Sequence, residues 1–278
     1  MSTTTDLVDA PAADPVHAGP AAEPRRSRML LLQLLCFVGV VVLWELVSLL
    51  GLVSASALPS PFETAARFGT LLADGGYWSA VGETLRDAVV GLLAAAVIGV
   101  PLGLVTGTYV AAEESSRLLV DFLRSFPVIA LLPVFLLVLG STPSMKQTVV
   151  FIACVFPVFL QAQYGARSVP PMIAETVRAY RIPRLLRFRR VILPSATPSI
   201  MTGLRLAATT SVLVAIGVEI LTTLPGIGHE VTQQQQSGNS DAAFAYIFTA
   251  GILGYGINRA SMYLETSLMR WRPPAHPS

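Results

Sequence analysis

The stretch GARSVPPMIAETVRAYRIPRLLRFRRVILPSATP, residues 165–198, is the longest polar interruption in the hydrophobic half of the chain. It carries one acid, Glu175, against seven arginines. These are Arg167, Arg178, Arg181, Arg184, Arg187, Arg189 and Arg190. A positive charge this concentrated faces either anionic lipid or a partner protein. Whether the flanking segments lie in water or in a membrane decides between these two partners.

The composition of the whole chain is that of a membrane protein. Of its 278 residues 53% are apolar and 13% are charged, and its mean hydropathy is +0.63. A soluble domain carries about a quarter charged residues. The length suits about six bilayer spans of roughly 20 residues each, with their loops. The net charge of +2 is too small to indicate a nucleic-acid partner.

The single lysine excludes one way of binding ATP. A P-loop requires Gly-Lys followed by Ser or Thr, whereas Lys146 lies in the sequence Ser-Met-Lys-Gln. We therefore expect this chain to hold no cofactor. If the protein works with ATP, the nucleotide must bind to a partner chain.

Apolar runs predict an all-α, polytopic membrane domain with about six transmembrane helices. The predicted spans are residues 29–50, 83–109, 117–139, 147–164, 199–222 and 243–268. Residues 1–28 show no apolar periodicity and are predicted to be a disordered cytoplasmic tail, which leaves 29–278 as the membrane domain, with a core at about 79–268. Arginines in both termini and in the 165–194 loop predict that these parts are cytoplasmic.

Short polar segments are predicted to connect the spans. We expect a cytoplasmic turn at residues 111–116 and an external turn at residues 140–146. Residues 51–82, with one short helix, and residues 224–242 are expected to lie outside the membrane as well. The external segments hold very few basic residues, in agreement with this orientation.

Two prolines, Pro127 and Pro133, interrupt the third predicted span. Such prolines either mark a bent segment that lines a path or only kink a structural helix, and the sequence leaves both possibilities open. Asp121 and Arg124 stand one turn apart near the cytoplasmic end of the same span, where we expect them to pair.

Small residues recur every four positions in the second span. They are Gly91, Ala95, Gly99, Gly103 and Gly107. A ridge of this kind lets another helix approach closely. We expect that helix to belong to the same bundle, and a seam between two subunits is the alternative.

The basic loop is expected to contain two short helices, because open loops of about 30 residues are uncommon. The proline pair at 170–171 suits a first helical turn, Glu175 complements the helix dipole, and Pro183 ends the helix. A second helix, residues 184–191, would then run to the membrane surface at residues 193–194. Two short, stiff helices form a surface to which another protein can bind.

The loop contains Glu175-Thr-Val-Arg-Ala-Tyr, followed by Phe188 and then by Val191-Ile-Leu-Pro. This order resembles the EAA loop of the transmembrane subunits of ABC importers. Other segments are similar to the subgroup that imports nitrate, sulfonates, taurine and related small molecules. They are LPSPFE at 58–63, LRSFPVIALLPVFLLVLG at 123–140, PSATPSIMTGLRLA at 194–207, VEI at 218–220 and PGIG at 225–228. The resemblance covers about residues 58–272.

This resemblance implies a type I ABC importer permease fold in the inner (plasma) membrane. It implies four kinds of partner: a dimer of cytoplasmic ATPase subunits that hold ATP and Mg, a second permease subunit, an extracytoplasmic solute-binding protein and membrane lipids. The permease itself would not be an enzyme, since ATP hydrolysis would take place in the ATPase subunits.

The resemblance also assigns site residues. Those expected to couple to the ATPase are Glu175, Arg178, Ala179, Tyr180, Arg181, Pro183, Phe188, Leu193 and Pro194. Candidates for the translocation path or gate are Arg124, Pro127, Pro133 and Glu219, and candidates for the outer mouth are Gly226, Gly228 and His229, with the glutamines at 233–236 beside them. For Arg187, Arg189 and Arg190 we expect contact with anionic lipid.

The central motif departs from the family at three positions. Arg181 stands where the family usually has glycine, and Thr176 and Val177 stand where it has small residues after Glu175. Glycine would permit a tight turn, so Pro183 is expected to supply the break instead. The change predicts an altered local geometry and an altered fit to the ATPase.

Two other classes of function are open at this point. A secondary transporter driven by an ion gradient places ionisable groups near the bilayer midplane, whereas these spans are nearly free of charge at that depth, which argues against it. A membrane scaffold without transport would leave residues 233–236 as a solvated loop.

Overall fold

A computed structural model describes residues 26–54 and 57–269, which form helices and no β-strand. The helices are α1 (Arg26–Leu49), α2 (Pro61–Leu71), α3 (Gly75–Thr108), α4 (Val110–Leu123), α5 (Leu132–Leu139), α6 (Pro143–Arg167), α7 (Pro171–Ala179), α8 (Arg184–Arg187), α9 (Leu193–Leu221), α10 (Ile227–Gln236) and α11 (Ser240–Leu268). A 3₁₀ helix, Val128–Leu131, precedes α5, and a π-helical segment, Phe188–Ile192, joins α8 to α9. The predicted all-α fold class is confirmed. The predicted disordered tail lies outside the described residues up to residue 25.

Among the residues that the structure describes, four helices are long and apolar enough to cross a membrane. They are most of α1, α3, α6 and the continuous helix from residue 184 to 221. A fifth span results if α4 and the Val128–Leu139 segment, bent by 71°, are counted together. The sixth predicted span matches α11, which is long enough at 29 residues but less apolar. The chain is a multi-pass membrane protein, while six spans and cytoplasmic termini stay predictions.

The expected cytoplasmic turn at residues 111–116 was wrong, because these residues form the first half of α4. The chain turns earlier, at Tyr109, whose φ of −113° and ψ of 113° are extended. The segment that follows contains two alanines and two glutamates and no glycine or proline, so its intrinsic helix propensity is high.

The two prolines of the third span have different effects. Pro127 lies in the break after α4 and directly precedes the 3₁₀ helix. Pro133 lies in the first turn of α5, where the missing N–H group would have no helical partner in any case. The bend therefore falls at Pro127, and Pro133 does not kink a continuous helix.

The expected external turn at residues 140–146 was also wrong at its end. The Thr142 side chain accepts a hydrogen bond from Met145 N at 3.2 Å and caps α6, and Pro143 is its first residue. This cap starts the helix four residues before the predicted span. Lys146 is therefore in the first turn of α6, where it is buried.

The helices α3, α6 and α9 pack together and form the core of the chain. The ridge of small residues on α3 faces α6. A Cβ atom on Gly103 would lie 2.3 Å from the carbonyl oxygen of Phe159, and one on Gly107 would lie 2.4 Å from that of Gln163. This contact confirms that the ridge packs within one bundle.

Two further segments complete the outer end. The Trp44 side chain of α1 stacks on Phe248 of α11, with ring centroids 5.7 Å apart, and donates a hydrogen bond to the Pro59 carbonyl at 3.0 Å. The segment at residues 224–242, expected to be a loop, contains α10, which packs against α9 and α11. The glutamines at 233–236 are thus helical.

Candidate functional site

The basic loop contains a short helix, as the sequence predicted. Pro171 is the first residue of α7, and Val177 is its buried contact with the rest of the chain. Val177 and Ala174 border a small cavity together with Val191 and Ile192, so α7 lies against the segment that leads into α9.

The turn after α7 has the form of a Schellman motif. The Ile182 N–H group donates to the Val177 carbonyl at 3.1 Å, and the Arg181 N–H group donates to the Arg178 carbonyl at 3.0 Å. This pair of hydrogen bonds is the usual way of ending a helix with one residue in the left-handed conformation. Arg181 is that residue, with a φ of 49°.

Arg181 therefore adopts the backbone conformation that glycine favours. It is the one non-glycine residue with a positive φ among the described residues. The left-handed conformation costs an L-residue about 1–2 kcal/mol. The tight turn is thus retained despite the substitution, whereas the sequence had predicted an altered geometry with the break supplied by Pro183. Pro183 comes later and precedes the first turn of α8.

Most of the predicted coupling residues are brought together on one exposed surface. Glu175, Arg178, Ala179 and Arg181 are exposed, and Tyr180 is 78% exposed. Beyond the turn, Pro183 and Pro194 are exposed, Leu193 is slightly less so, and Phe188 is half-buried.

Sequence reasoning missed the apolar part of this surface. Met172, Leu185 and Leu186 are exposed large side chains next to the predicted residues. Apolar residues within a strongly basic loop were a usable signal, because exposed apolar patches mark interaction sites. We call Met172, Glu175, Tyr180, Leu185 and Leu186 the coupling surface.

The second predicted loop helix begins at Arg184 as expected but does not stop at residue 191. It continues through the π-helical segment into α9, and the Leu193 N–H group donates to the Phe188 carbonyl across the wider turn. Pro194, which has no N–H group to donate, follows in the first turn of α9. The coupling surface is thus joined to a core helix without a flexible link.

A buried polar network lies at the opposite end of the core helices. Glu219, near the end of α9, is 0% exposed. Its carboxylate accepts hydrogen bonds from Lys146 Nζ, Thr84 Oγ1 and Gly228 N, all at 2.9 Å. Lys146 also lies 2.7 Å from the Asp87 carboxylate and donates to the Pro225 carbonyl at 3.1 Å.

Lys146 donates two hydrogen bonds in this network and forms an ion pair with Asp87. Its acceptors belong to α3, to α9 and to the loop before α10, so the side chain joins three parts of the chain. Asp87 is held further by Gln147 Nε2 at 2.7 Å and by Arg86 Nε at 3.2 Å. Buried charges of this kind are tolerated because they are paired.

The predicted outer-mouth glycines lie directly on this network. A Cβ atom on Gly226, whose φ is 151°, would lie 2.2 Å from the Glu219 carboxyl carbon. One on Gly228 would lie 2.4 Å from the Ile216 carbonyl oxygen. Glycine is needed at both positions because the start of α10 approaches α9 so closely. His229, the next residue, is half-buried.

Glu219 was expected near the end of its span, and the structure places it near the end of α9 without access to solvent. The network that encloses it was not expected, since Thr84 and Asp87 had no assigned role and Lys146 was assigned to a turn. Two of its charges lie in the first turn of α6 and near the end of α9 rather than at the middle of these helices. Arg124 pairs with Asp121 at 3.0 Å, as predicted.

A bundle of apolar helices with an exposed basic loop at one end and a buried ion-pair network at the other defines a polytopic membrane protein. Residues 99–269 match the family of binding-protein-dependent transport system inner membrane components. The match covers more than half of the chain, so the chain belongs to this family.

Curated relatives agree with the assignment. The putative aliphatic sulfonates transport permease protein SsuC of Escherichia coli (strain K12) is 30% identical over 242 residues, which are 86% of this chain and 91% of the relative. The nitrate import permease protein NrtB of Leptolyngbya laminosa is 29% identical over 66% of both chains. A solved structure, the inward-facing MetNI methionine ABC transporter, has a TM-score of 0.62 at 20% identity over 70% of this chain and 96% of its own. This last likeness concerns the fold alone.

Proposed function

We propose that this chain is the permease subunit of an ATP-driven importer for a small solute that a binding protein delivers from outside. The observation that carries the proposal is the coupling surface, which is exposed, rigid and continuous with α9. Tyr180 is well suited to enter a groove, because tyrosine is one of the residue types that provide most of the free energy of an interface.

The partner on this surface is a cytoplasmic ATPase dimer, which would hold ATP and Mg. The partner in the membrane is a second permease subunit, identical or related. Movement of the ATPase subunits would be transmitted through α7 and α8 to α9, which carries Glu219 near its end. The solute is of the kind that the relatives' names record, which are sulfonates and nitrate.

The coupling surface is tested by binding and ATP hydrolysis. The variants Glu175→Ala and Tyr180→Ala should insert normally but lose association with the ATPase and the stimulation of ATP hydrolysis. Arg190→Ala is the matched control, since Arg190 is exposed on the same cytoplasmic side but outside the coupling surface. Normal association in both variants would contradict the proposed docking.

The outer face of the importer is assigned to α10. Gln233, Gln235 and Gln236 are exposed on it, and the network around Glu219 fixes its first turn. Replacing the glutamines at 233–236 with alanine should weaken docking of the solute-binding protein while association with the ATPase stays normal. Unchanged affinity for the binding protein would show that the glutamines of α10 take no part in docking.

A further inference from the structure

A polar cavity of about 430 Å³ lies between α4 and the second half of α6, toward the end that carries α7. Glu113, Arg117, Asp121 and Arg124 of α4 border it, and so do Gln163 and Arg167 of α6. The α4 residues recur at intervals of three and four positions, so they share one face of the helix. This size is in the range of small-molecule sites.

The opposite face of α4 is apolar. Leu118 is 83% exposed and Phe122 is 59% exposed, and both point away from the cavity. In a membrane helix the apolar face meets lipid and the polar face meets protein or a water-filled space. The cavity is therefore a polar space on the inner face of α4, and it is partly open, since Arg117 and Arg124 are exposed.

The charges around the cavity are not balanced. Arg124 pairs with Asp121 at 3.0 Å, and Arg167 pairs with Glu113. Arg117 stands one turn from both acids along α4, yet within the described part of the chain it forms no ion pair with either. Three arginines face two carboxylates, which leaves the charge of Arg117 uncompensated.

Gln163 supplies a second unpaired group. Its side chain is only 9% exposed, it borders the cavity, and its amide forms no hydrogen bond with another described residue. The amide atoms of Gln163 are not among the fully buried unpaired atoms of the described residues, so they are open to the cavity and free to bind a ligand. An amide NH₂ group and a guanidinium group both donate hydrogen bonds, so the ligand that satisfies both is an acceptor with negative charge.

We propose that this cavity binds a small oxyanion, with Arg117 as its charge partner and Gln163 as a hydrogen-bond donor. The ligand carries a sulfonate-like or phosphate-like group, either free in solution or as the headgroup of an anionic lipid. The inference rests on the proposed function, because the solutes in the relatives' names, sulfonates and nitrate, are oxyanions, and it adds the residues of this chain that would hold such an anion.

The test measures binding of radiolabelled methanesulfonate to the purified permease–ATPase complex, without binding protein, in phosphatidylcholine nanodiscs. Arg117→Gln should weaken binding about tenfold or more, the effect of losing a charge-assisted hydrogen bond. Gln163→Glu keeps the side-chain size, adds a negative charge and should abolish binding. Arg259→Gln is the matched control, because Arg259 is exposed on α11 and does not border the cavity.

Nanodiscs with added phosphatidylglycerol distinguish the two sources of the oxyanion. Loss of methanesulfonate binding on addition of this lipid would identify a lipid headgroup as the occupant, and unchanged binding would identify the free anion. The proposal is overturned if the variants Arg117→Gln and Gln163→Glu bind methanesulfonate as well as the unmodified protein does. It is also overturned if neither the free anion nor the anionic lipid shows binding that depends on Arg117. ATP-dependent uptake, measured separately, tests the proposed function and does not depend on this result.

Discussion

At the scale of single residues, Arg181 shows how a helix end can be kept while its usual residue is replaced. Its positive φ and the two hydrogen bonds of the Schellman motif give the turn that glycine would give. The conformational cost is local and does not require the coupling surface to change shape.

Replacement of Arg181 tests this interpretation. Arg181→Gly relieves about 1–2 kcal/mol of backbone strain and adds about 0.5–1 kcal/mol of chain entropy cost, so stability should stay equal or rise slightly, and ATPase association should be kept. Arg181→Val should weaken association, because a β-branched residue tolerates a positive φ poorly. Thermal unfolding and ATPase pull-down measure both effects, and equal behaviour of the valine variant and the unmodified protein would contradict the account.

Lys146 is the residue on which the outer network depends. Lys146→Met leaves the buried Glu219 without its cation and leaves Asp87 with Arg86 alone, which should cost about 3–5 kcal/mol. The double variant Lys146→Met with Glu219→Gln removes one of the stranded charges and should recover part of that loss. Folded protein remaining after heating, measured by size-exclusion chromatography in detergent, gives the comparison. A double variant less stable than the single variant would show that Lys146 and Glu219 do not act as a pair.

At the scale of helices, close packing of α3 on α6 determines the core. Gly103→Ala should lower the unfolding temperature strongly, because its Cβ would meet a backbone oxygen that cannot move aside. Gly82→Ala, on the same helix, is the matched control, since a Cβ there meets nothing within 4 Å. Both proteins are compared by thermal unfolding in detergent. Equal unfolding temperatures for the two variants would argue against the packing described.

The elements that the sequence predicted correctly are those with local signals. The proline pair before α7 and the prolines around α8 mark helix starts within a few residues, and the four-residue ridge of α3 is a periodic pattern. The errors at residues 111–116 and 140–146 came from polar residues that were assigned to turns. In fact residues 111–116 form the first half of α4, and residues 143–146 form the first turn of α6.

The outer network could not be predicted in the same way, because its contacts join distant parts of the chain. Thr84 and Glu219 are 135 residues apart, and Lys146 and Glu219 are 73 apart. A lone lysine beside a predicted turn gives no signal of burial. Only the packing of α3, α6 and α9 brings these side chains together.

At the scale of the whole molecule, one helix, α9, connects the two ends of the membrane domain. The coupling surface lies before one end of α9 and the Glu219 network lies at the other end of this helix, which is 29 residues long. A movement imposed on α7 and α8 can therefore reach the start of α10. This arrangement fits a permease in which events on the cytoplasmic side change the outer side.

The energy source for uptake is the most direct test of this account. Proteoliposomes are made with the permease, its ATPase and its binding protein, and uptake of the solute is measured with ATP inside or with an ion gradient alone. The account predicts uptake only with ATP, and loss of that uptake in Tyr180→Ala while Arg190→Ala transports normally. Uptake driven by the ion gradient without ATP, or normal uptake by Tyr180→Ala, would contradict it.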